Sequence, residues 1–386
     1  MNLLLRNVRP GGGELTDVLV RDGRIAAFGR LETDAPGEDG GGALLLPGLV
    51  DAHCHLDKTL WGLPWVPNSA GPDLADRISN EQRRRTEFGL PSPDRAAALL
   101  DAMIGHGTSF VRTHTDVDPE VGLSGIEAVR EAAARHRGRV TVEQVAFPQG
   151  GLLTRPGTLE LLERAVASGV ENVGGIDPAG YDGDPRGHLD AIFDIAGRHG
   201  CGVDLHLHDE GPLGAWEIGL IIERTKALGL AGKVAIGHAF GICGIPDAHQ
   251  DRLLEGLADQ QITLTTAAVY DRPVPPLAKM RAAGANAACG NDGIRDLWGP
   301  YGDGDMLHRA MHLAYRSSFR TDPEIELALH AATYGGAKAL RLTGYGLQVG
   351  DHADFFLVDA GCPAEAVVAH PPRRLVVMGG VVVSRR

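Results

Sequence analysis

The sequence predicts a (β/α)8 barrel joined to a small β-sandwich that both ends of the chain build. Three observations predict it. Eight apolar, strand-like runs alternate with amphipathic segments over about 290 residues. Short β segments with no helix between them lie at both termini. The barrel-type runs also end repeatedly in histidine, aspartate or glutamine. A doubly wound sheet is the architectural alternative, but eight alternating strands match a closed barrel better. On this reading residues 1–46 and 346–386 form the sandwich and 47–345 the barrel.

At the amino end, Leu3–Val8, Asp17–Val20 and Arg24–Phe28 are separated by Gly-rich or charged turns, and Asp22-Gly23 is a hairpin signal. The Gly/Asp/Glu stretch around Pro36–Gly42 reads as a surface loop. Barrel strands are expected at Leu45–His55, Ser109–His114, Val140–Phe147, Asn172–Ile176, Gly202–Leu207, Lys233–His238, Ile262–Thr266 and Ala285–Gly290. Between them, Gly125–His136, Leu159–Ala167, Leu189–His199, Trp216–Leu228 and Ile325–Leu340 carry apolar residues three and four apart, as helices do. The chain then returns to short strands, Asp354–Val358, Arg374–Met378 and Val381–Ser384, around Gly379-Gly380.

Bulk composition narrows the function classes. With 43% hydrophobic and 23% charged residues, the 386-residue chain can bury a sizeable core. Its 37 basic and 50 acidic residues give a net charge of −13, which argues against nucleic acid or anionic membranes as partners. Cysteines 54, 201, 243, 289 and 362 are scattered and lack any CxxC, as in a reducing compartment with no disulfide framework. Met1–Arg6 lacks the features of a secretory signal, and no apolar run approaches the roughly 20 residues that span a bilayer. A cytoplasmic protein is expected.

In such a barrel the reacting groups come from the carboxyl ends of strands. The first strand ends in His53-Cys54-His55. Residues two apart on an extended strand share a face, so two imidazoles stand side by side as ligands for one transition metal. An isolated HxH is a weak signal. The fifth strand adds His206-Leu207-His208-Asp209-Glu210, the sixth ends in His238 and the eighth leads to Asn291-Asp292-Gly293. His53, His55 and His206 offer nitrogens and Asp292 an oxygen to one Zn2+ or Fe2+ ion, with a position left for water. Such an ion lowers the pKa of its bound water towards neutrality.

Asp292 would accept that water's proton, and His238 would hold the nucleophile or polarise the substrate. A single His206 or His238 would read as a core histidine; the matching strand ends decide otherwise. His114 reads as buried scaffold, and His208, sharing the face of His206, as a pocket or rim residue. The fourth strand ends Gly175-Ile176-Asp177 without a lysine to bridge a second ion, so one metal is expected.

The barrel, the HxH, the two later histidines and the final aspartate together resemble the amidohydrolase superfamily over nearly the whole chain, including the Gly350-Asp351-His352-Ala353-Asp354 turn. Four strings are similar to the bacterial cytosine deaminase branch: His55-Leu56-Asp57, Arg112-Thr113-His114-Thr115-Asp116-Val117, Val145-Ala146-Phe147-Pro148-Gln149, and Asp296-Leu297-Trp298-Gly299-Pro300 followed by Asp305-Met306-Leu307. The resemblance implies that His53, His55, His206 and Asp292 ligate the metal and that His238 stands beside the bound water. It implies that Gln149 pairs with an amide edge of the substrate ring and that Trp298 lies against that ring. A carboxamide suits the first role because it offers a donor and an acceptor side by side.

Two positions depart from the family pattern. The family carries a proton-shuttling glutamate three residues after the fifth-strand histidine; here Asp209 stands there and Glu210 follows, and both are candidates, with Asp209 favoured by spacing. Gly293 replaces a carboxylate directly after the metal aspartate, which implies a roomier and differently polar pocket than one for cytosine.

The leading expectation is hydrolytic deamination of an amino-substituted N-heterocycle (cytosine-like, aminotriazine or pterin), in which metal-activated water attacks the ring carbon and ammonia leaves. The alternative is hydrolysis of a cyclic amide or another non-peptide C–N bond, which needs only the metal and Asp292. A non-catalytic barrel relative is the third reading, disfavoured by four retained ligand-type positions. Expected partners are a small heterocyclic substrate and, by family resemblance, further copies of the chain in a homo-oligomer. The deaminases that act on flipped bases pair H-x-E with P-C-x-x-C; His208-Asp209-Glu210 fits the first half, but the chain has no CxxC.

Overall fold

The computed structural model describes residues 2–31, 35 and 37–386. Strands β1 (Asn2–Pro10), β2 (Thr16–Arg21), β3 (Arg24–Gly29), β4 (Gly37–Asp39) and β5 (Leu44–Pro47) come first. The barrel strands follow: β6 (Leu49–Cys54), β7 (Thr108–Asp116), β8 (Thr141–Phe147), β9 (Asn172–Ile176), β10 (Gly202–Leu207), β11 (Val234–His238), β12 (Thr263–Thr266) and β13 (Asn286–Cys289). Then come β14 (Phe355–Val358), β15 (Arg373–Met378) and β16 (Val381–Arg385).

Strands β6 to β13 pair in chain order, each parallel to the next. The ring closes where Cys54 bridges Asp292 in parallel and the Asp292 amide donates to the His53 carbonyl at 2.8 Å. Helices run between the strands, so the fold is a (β/α)8 barrel. The closing bond joins two candidate metal residues directly through the backbone.

The remaining strands form one sheet in the order β16-β15-β14-β5-β1-β2-β3, with β4 beside β1. Strand β1 pairs with β2 through Asn2–Val8 and with β5 through Arg9 and Pro10, with a shift in register between Leu5 and Val8. Leu3, Leu5, Val20, Leu45, Phe355 and Val377 meet in one core cluster drawn from both ends of the chain. A second cluster, including Leu46, Phe356 and Met306, packs this sheet against the barrel's helices.

Three expectations are corrected. Leu45–His55 is two strands in two sheets, not one. Pro47 has no amide to continue a ladder, and a side chain on Gly48 would collide with Ser109, so the chain changes sheet there. Of the expected loop around Pro36–Gly42, Pro36 lies outside the described residues, while Gly37–Asp39 pairs in parallel with Leu4–Arg6. Ile325–Leu340 is two helices, Asp322–Ala331 and Tyr334–Ala339. They break at Thr333, whose hydroxyl donates to the Leu329 carbonyl at 2.7 Å. The break seats Gly335 and Gly336 against Ala287 and Val50, contacts that leave no room for a Cβ.

A fourth expectation fails at the carboxyl end, where a helix, Pro363–Ala369, stands between β14 and β15 although no helix was expected among the terminal strands. The Leu74–Arg84 helix, absent from the expected elements, buries Ile78, Asn80 and Glu81 and is otherwise mostly polar, with Leu74, Ala75 and Ile78 its only apolar residues. All five cysteines are free, and no helix among the described residues is long and apolar enough to cross a membrane.

Candidate metal centre and substrate cavity

The barrel's strand ends gather the expected residues. His53 lies in β6 and His55 just beyond it, His206 in β10, His238 at the end of β11, and Asp292 three residues past β13. Ligand atoms of His53, His206, His238 and Asp292 all lie within 4.8 Å of one another. His55 Nε2 joins them at 3.3 Å from Asp292 Oδ1 and 3.4 Å from His206 Nε2. His238 and Asp292 both hold left-handed backbone, at φ 64° and 61°, a conformation costly for non-glycine residues and concentrated at functional sites.

The donor set fits a divalent ion. Both nitrogens of His53 and of His238, and Nδ1 of His206, are buried without a hydrogen-bond partner in this structure. A buried polar atom left unmatched costs about 1–3 kcal/mol, and several imidazoles aimed at one point share one remedy, a cation. His55 Nδ1 faces the His114 carbonyl at 3.1 Å. A carbonyl only accepts, so that nitrogen carries the proton and Nε2 presents its lone pair inward.

Electrostatics point the same way. Burial, then neighbouring imidazoles, push His53 and His206 well below the usual histidine range, and burial together with His208 brings His238 down to about 4. Burial alone would raise Asp292, but the His55 hydrogen bond and the charges of His238 and His53 hold it well below the usual carboxylate range. Neutral imidazoles beside an ionised carboxylate are the protonation states that metal ligation needs.

His114 lies beneath this group, packed on His53 with ring centroids 4.2 Å apart and 3.2 Å from Asp204 Oδ1. Asp204 in turn pairs with Arg112, fully inside the barrel, at 2.9 Å. His53, His114 and Asp204 make a second close triad, one that shares His53 with the first.

A cavity of about 840 Å3 opens above the centre, lined by His55, His206, His238 and Asp292 among others. That volume suits a drug-sized ligand. Gln149 is on its wall, but its carboxamide is already engaged. Oε1 accepts from Lys58 Nζ at 2.6 Å, and Nε2 donates to Glu81 Oε2 at 2.7 Å and to Asp116 Oδ2 at 3.4 Å. Trp298 also lines the cavity, and its indole N–H donates to Glu81. Lys58, itself on the wall, sits 2.8 Å from Asp116 and 3.6 Å from Glu81. Burial would lower its pKa, but the charges of Asp116, Glu81 and Asp57 hold it above the usual lysine range.

The two expected proton shuttles do not reach the cavity wall. Asp209 turns aside, its Oδ2 accepting from the Gly180 amide at 2.9 Å. Glu210 pairs with Arg272 at 2.8 Å and is half exposed. His208 lines the wall instead. Its Nδ1 is 2.7 Å from Asp177 Oδ2, and its ring stacks on His238 with centroids 4.4 Å apart. Burial opposes its charged form, yet the Asp177 carboxylate raises it above the usual histidine range. Alternation from His206 pointed to His208. Lys58, Glu81 and Asp177 carried no signal beyond being ionisable residues near strand ends or on a polar helix.

The family model described as "Amidohydrolase family" matches residues 92–384. The chain is 35% identical over 365 residues, 92% of its length and 79% of the relative's, to the uncharacterized protein YahJ of Escherichia coli strain K12. Among solved structures it is similar to N-isopropylammelide isopropylaminohydrolase from Burkholderia multivorans ATCC 17616, with 45% identity, a TM-score of 0.96 and coverage of 100% of this chain and 98% of that one. It is also similar to 5-methylcytosine deaminase from Klebsiella pneumoniae, liganded with 5-fluorocytosine, with 25% identity, a TM-score of 0.86 and the same coverage.

Proposed function

The chain belongs to the amidohydrolase family, a metal-dependent hydrolase of carbon–nitrogen bonds, and from that premise we propose that it cleaves the exocyclic C–N bond of an amino-substituted oxo-triazine or pyrimidine. The carrying observation is the set of buried, unpartnered imidazoles closing on Asp292 at the floor of the cavity. The 45% identity over the whole chain to N-isopropylammelide isopropylaminohydrolase supports the substrate class. Water adds to the ring carbon and the exocyclic nitrogen departs as ammonia or an alkylamine, leaving an oxo group on the ring.

His53, His55, His206 and Asp292 are assigned to one Zn2+ or Fe2+ ion. When bound, such an ion supplies a Lewis acid and brings the pKa of a water towards neutrality. Asp292, ionised and beside the ligand histidines, accepts the proton that water gives up. His238, held neutral, orients that water through a ring nitrogen. His208, whose pKa the Asp177 carboxylate raises, delivers a proton to the departing nitrogen, the role first given to Asp209 or Glu210. Lys58 has three N–H groups and spends two on Asp116 and Gln149, so the third can meet a substrate oxygen. Phe147, Phe240 and Trp298 line the same cavity and exclude water from the ring.

The test is a screen of metal-loaded protein against N-alkylated and free amino-oxotriazines, aminopyrimidines and pterins. Release of ammonia or alkylamine with the ring intact is expected. Ring opening of a cyclic amide, with no amine released from any of these, would overturn the reading.

A further inference from the structure

Asp296 is buried, 6% exposed, and lines the cavity. Its two oxygens have different fates. Oδ1 accepts from the amides of Trp298 at 2.8 Å and Gly299 at 2.9 Å, closing the tight turn that carries Trp298. No donor among the described residues reaches Oδ2. That oxygen occupies the space where a Cβ on Gly293 would stand, beside Asp292. Gly293 does not hold left-handed backbone, so its conformation alone does not require glycine. What requires glycine is the carboxylate that fills its side-chain space.

Oδ2 is not sealed inside the protein: on the cavity wall it is left to accept an N–H from a bound molecule. Burial pushes the Asp296 carboxyl up to about 6, against the two turn amides and the charge of Lys58. Lys58 therefore stands near enough to be felt, and it brings an uncommitted N–H to the same cavity. A donor and an acceptor on one wall match the C=O and N–H of a lactam edge. Gln149 has no N–H to spare, since its two amide hydrogens go to Glu81 and Asp116, and its Oε1 is already bound to Lys58.

We propose that Asp296 is a specificity-determining residue that accepts an N–H from the substrate ring, so that together with Lys58 it selects oxo-heterocycles bearing an unsubstituted lactam edge and rejects those alkylated on that nitrogen. The proposal rests on the reading of the cavity as an N-heterocycle site. It extends that reading by naming which edge is read and by what.

The test uses full-length, metal-loaded protein and three probes, ammelide, N-isopropylammelide and cytosine, each beside its ring-N-methylated analogues. Dissociation constants and KM are compared. Wild type should prefer an N–H probe to its N-methyl partner by roughly 10- to 100-fold, as a hydrogen bond to a charged group implies. Asp296→Asn keeps a carbonyl for the turn amides but places an NH2 where Oδ2 was. It should lower that preference to about threefold or less, with metal content and melting temperature held. Gly293→Ala should push the Asp296 carboxylate away, Oδ2 foremost, and lose the same preference. It serves as the second variant where Asp296→Asn does not fold.

Undiminished preference in the folded variant overturns the assignment. Turnover by wild type without any N–H preference overturns it too, and leaves the hydrolase reading standing. Binding with the preference but no amine release overturns the hydrolase reading and leaves Asp296 standing. Neither binding nor turnover overturns both.

Discussion

His208 Nδ1 lies 2.7 Å from Asp177 Oδ2, while the His208 ring stacks on His238 at 4.4 Å between centroids. The two imidazoles touch yet are pushed in opposite directions. Burial, with the charge of His208 second, lowers His238 to about 4, and Asp177 outweighs burial to raise His208. Adjacent titratable groups driven apart in this way are the pattern of an acid–base pair, the basis of the acid role proposed for His208. Asp177 holds left-handed backbone at φ 33°, just past the end of β9, so the fold bends unfavourably to place it there.

His208→Asn should retain bound metal and lower kcat by about 10²- to 10⁴-fold, the usual worth of general acid catalysis. Asp177→Asn should lower it less. Elemental analysis beside steady-state kinetics checks this; a kcat within about threefold of wild type removes His208 from the reaction.

His206→Ala should lose metal and activity together. Chelated wild type should regain turnover when Zn2+ or Fe2+ is returned, and its melting temperature should rise with metal concentration, because the ion binds the folded chain preferentially. Equal melting with and without metal would contradict a closed ligand set.

Lys58→Met leaves Asp116 and Glu81 buried without their cation. Breaking one partner out of a buried pair costs about 3–5 kcal/mol. Adding Asp116→Asn should recover a large part of that loss, so urea midpoints of the two variants should differ by more than experimental scatter. Equal midpoints would show that Lys58 does not neutralise Asp116.

Glu217 is fully buried, and its Oε1 accepts from the Ala179 amide at 2.9 Å. Burial, then the charge of Asp209, push its carboxyl from the usual 4.5 up to about 8. A raised folded value means stability that is complete below about pH 4.5 and is lost as pH rises through about 8. Over that window the loss is on the order of 2–4 kcal/mol. Glu217→Gln keeps the bond to Ala179 and should flatten this fall. Thermal melts from pH 4.5 to 8.5 read it, and parallel curves for the two proteins would exclude Glu217 as the titrating group.

The metal-type residues were legible because strand alternation is local. His53 and His55, and His206 and His208, share faces by the two-residue repeat alone, and each pair stands where an apolar run ends. The proton-shuttle candidates rested on spacing and not on alternation, for Asp209 and Glu210 both follow β10, which ends at Leu207. Spacing then favoured Asp209, which turns to Gly180. The Leu74–Arg84 helix escaped notice because the residue that matters on it, Glu81, is a buried charge, and apolar periodicity does not register one.

By itself, then, the sequence determined the barrel, the strand ends and the identity of the metal-type groups, since each follows from backbone period and chain order. Only the tertiary structure decided what those groups and their neighbours face. Lys58, Glu81, Asp116 and Gln149 come from four separate segments and bond to one another, so both ends of the Gln149 carboxamide are engaged within the protein. Asp296 fills the space left by Gly293 for the same reason. Hydrogen bonds form over about 3 Å in space whatever the separation along the chain, and no spacing rule encodes that distance.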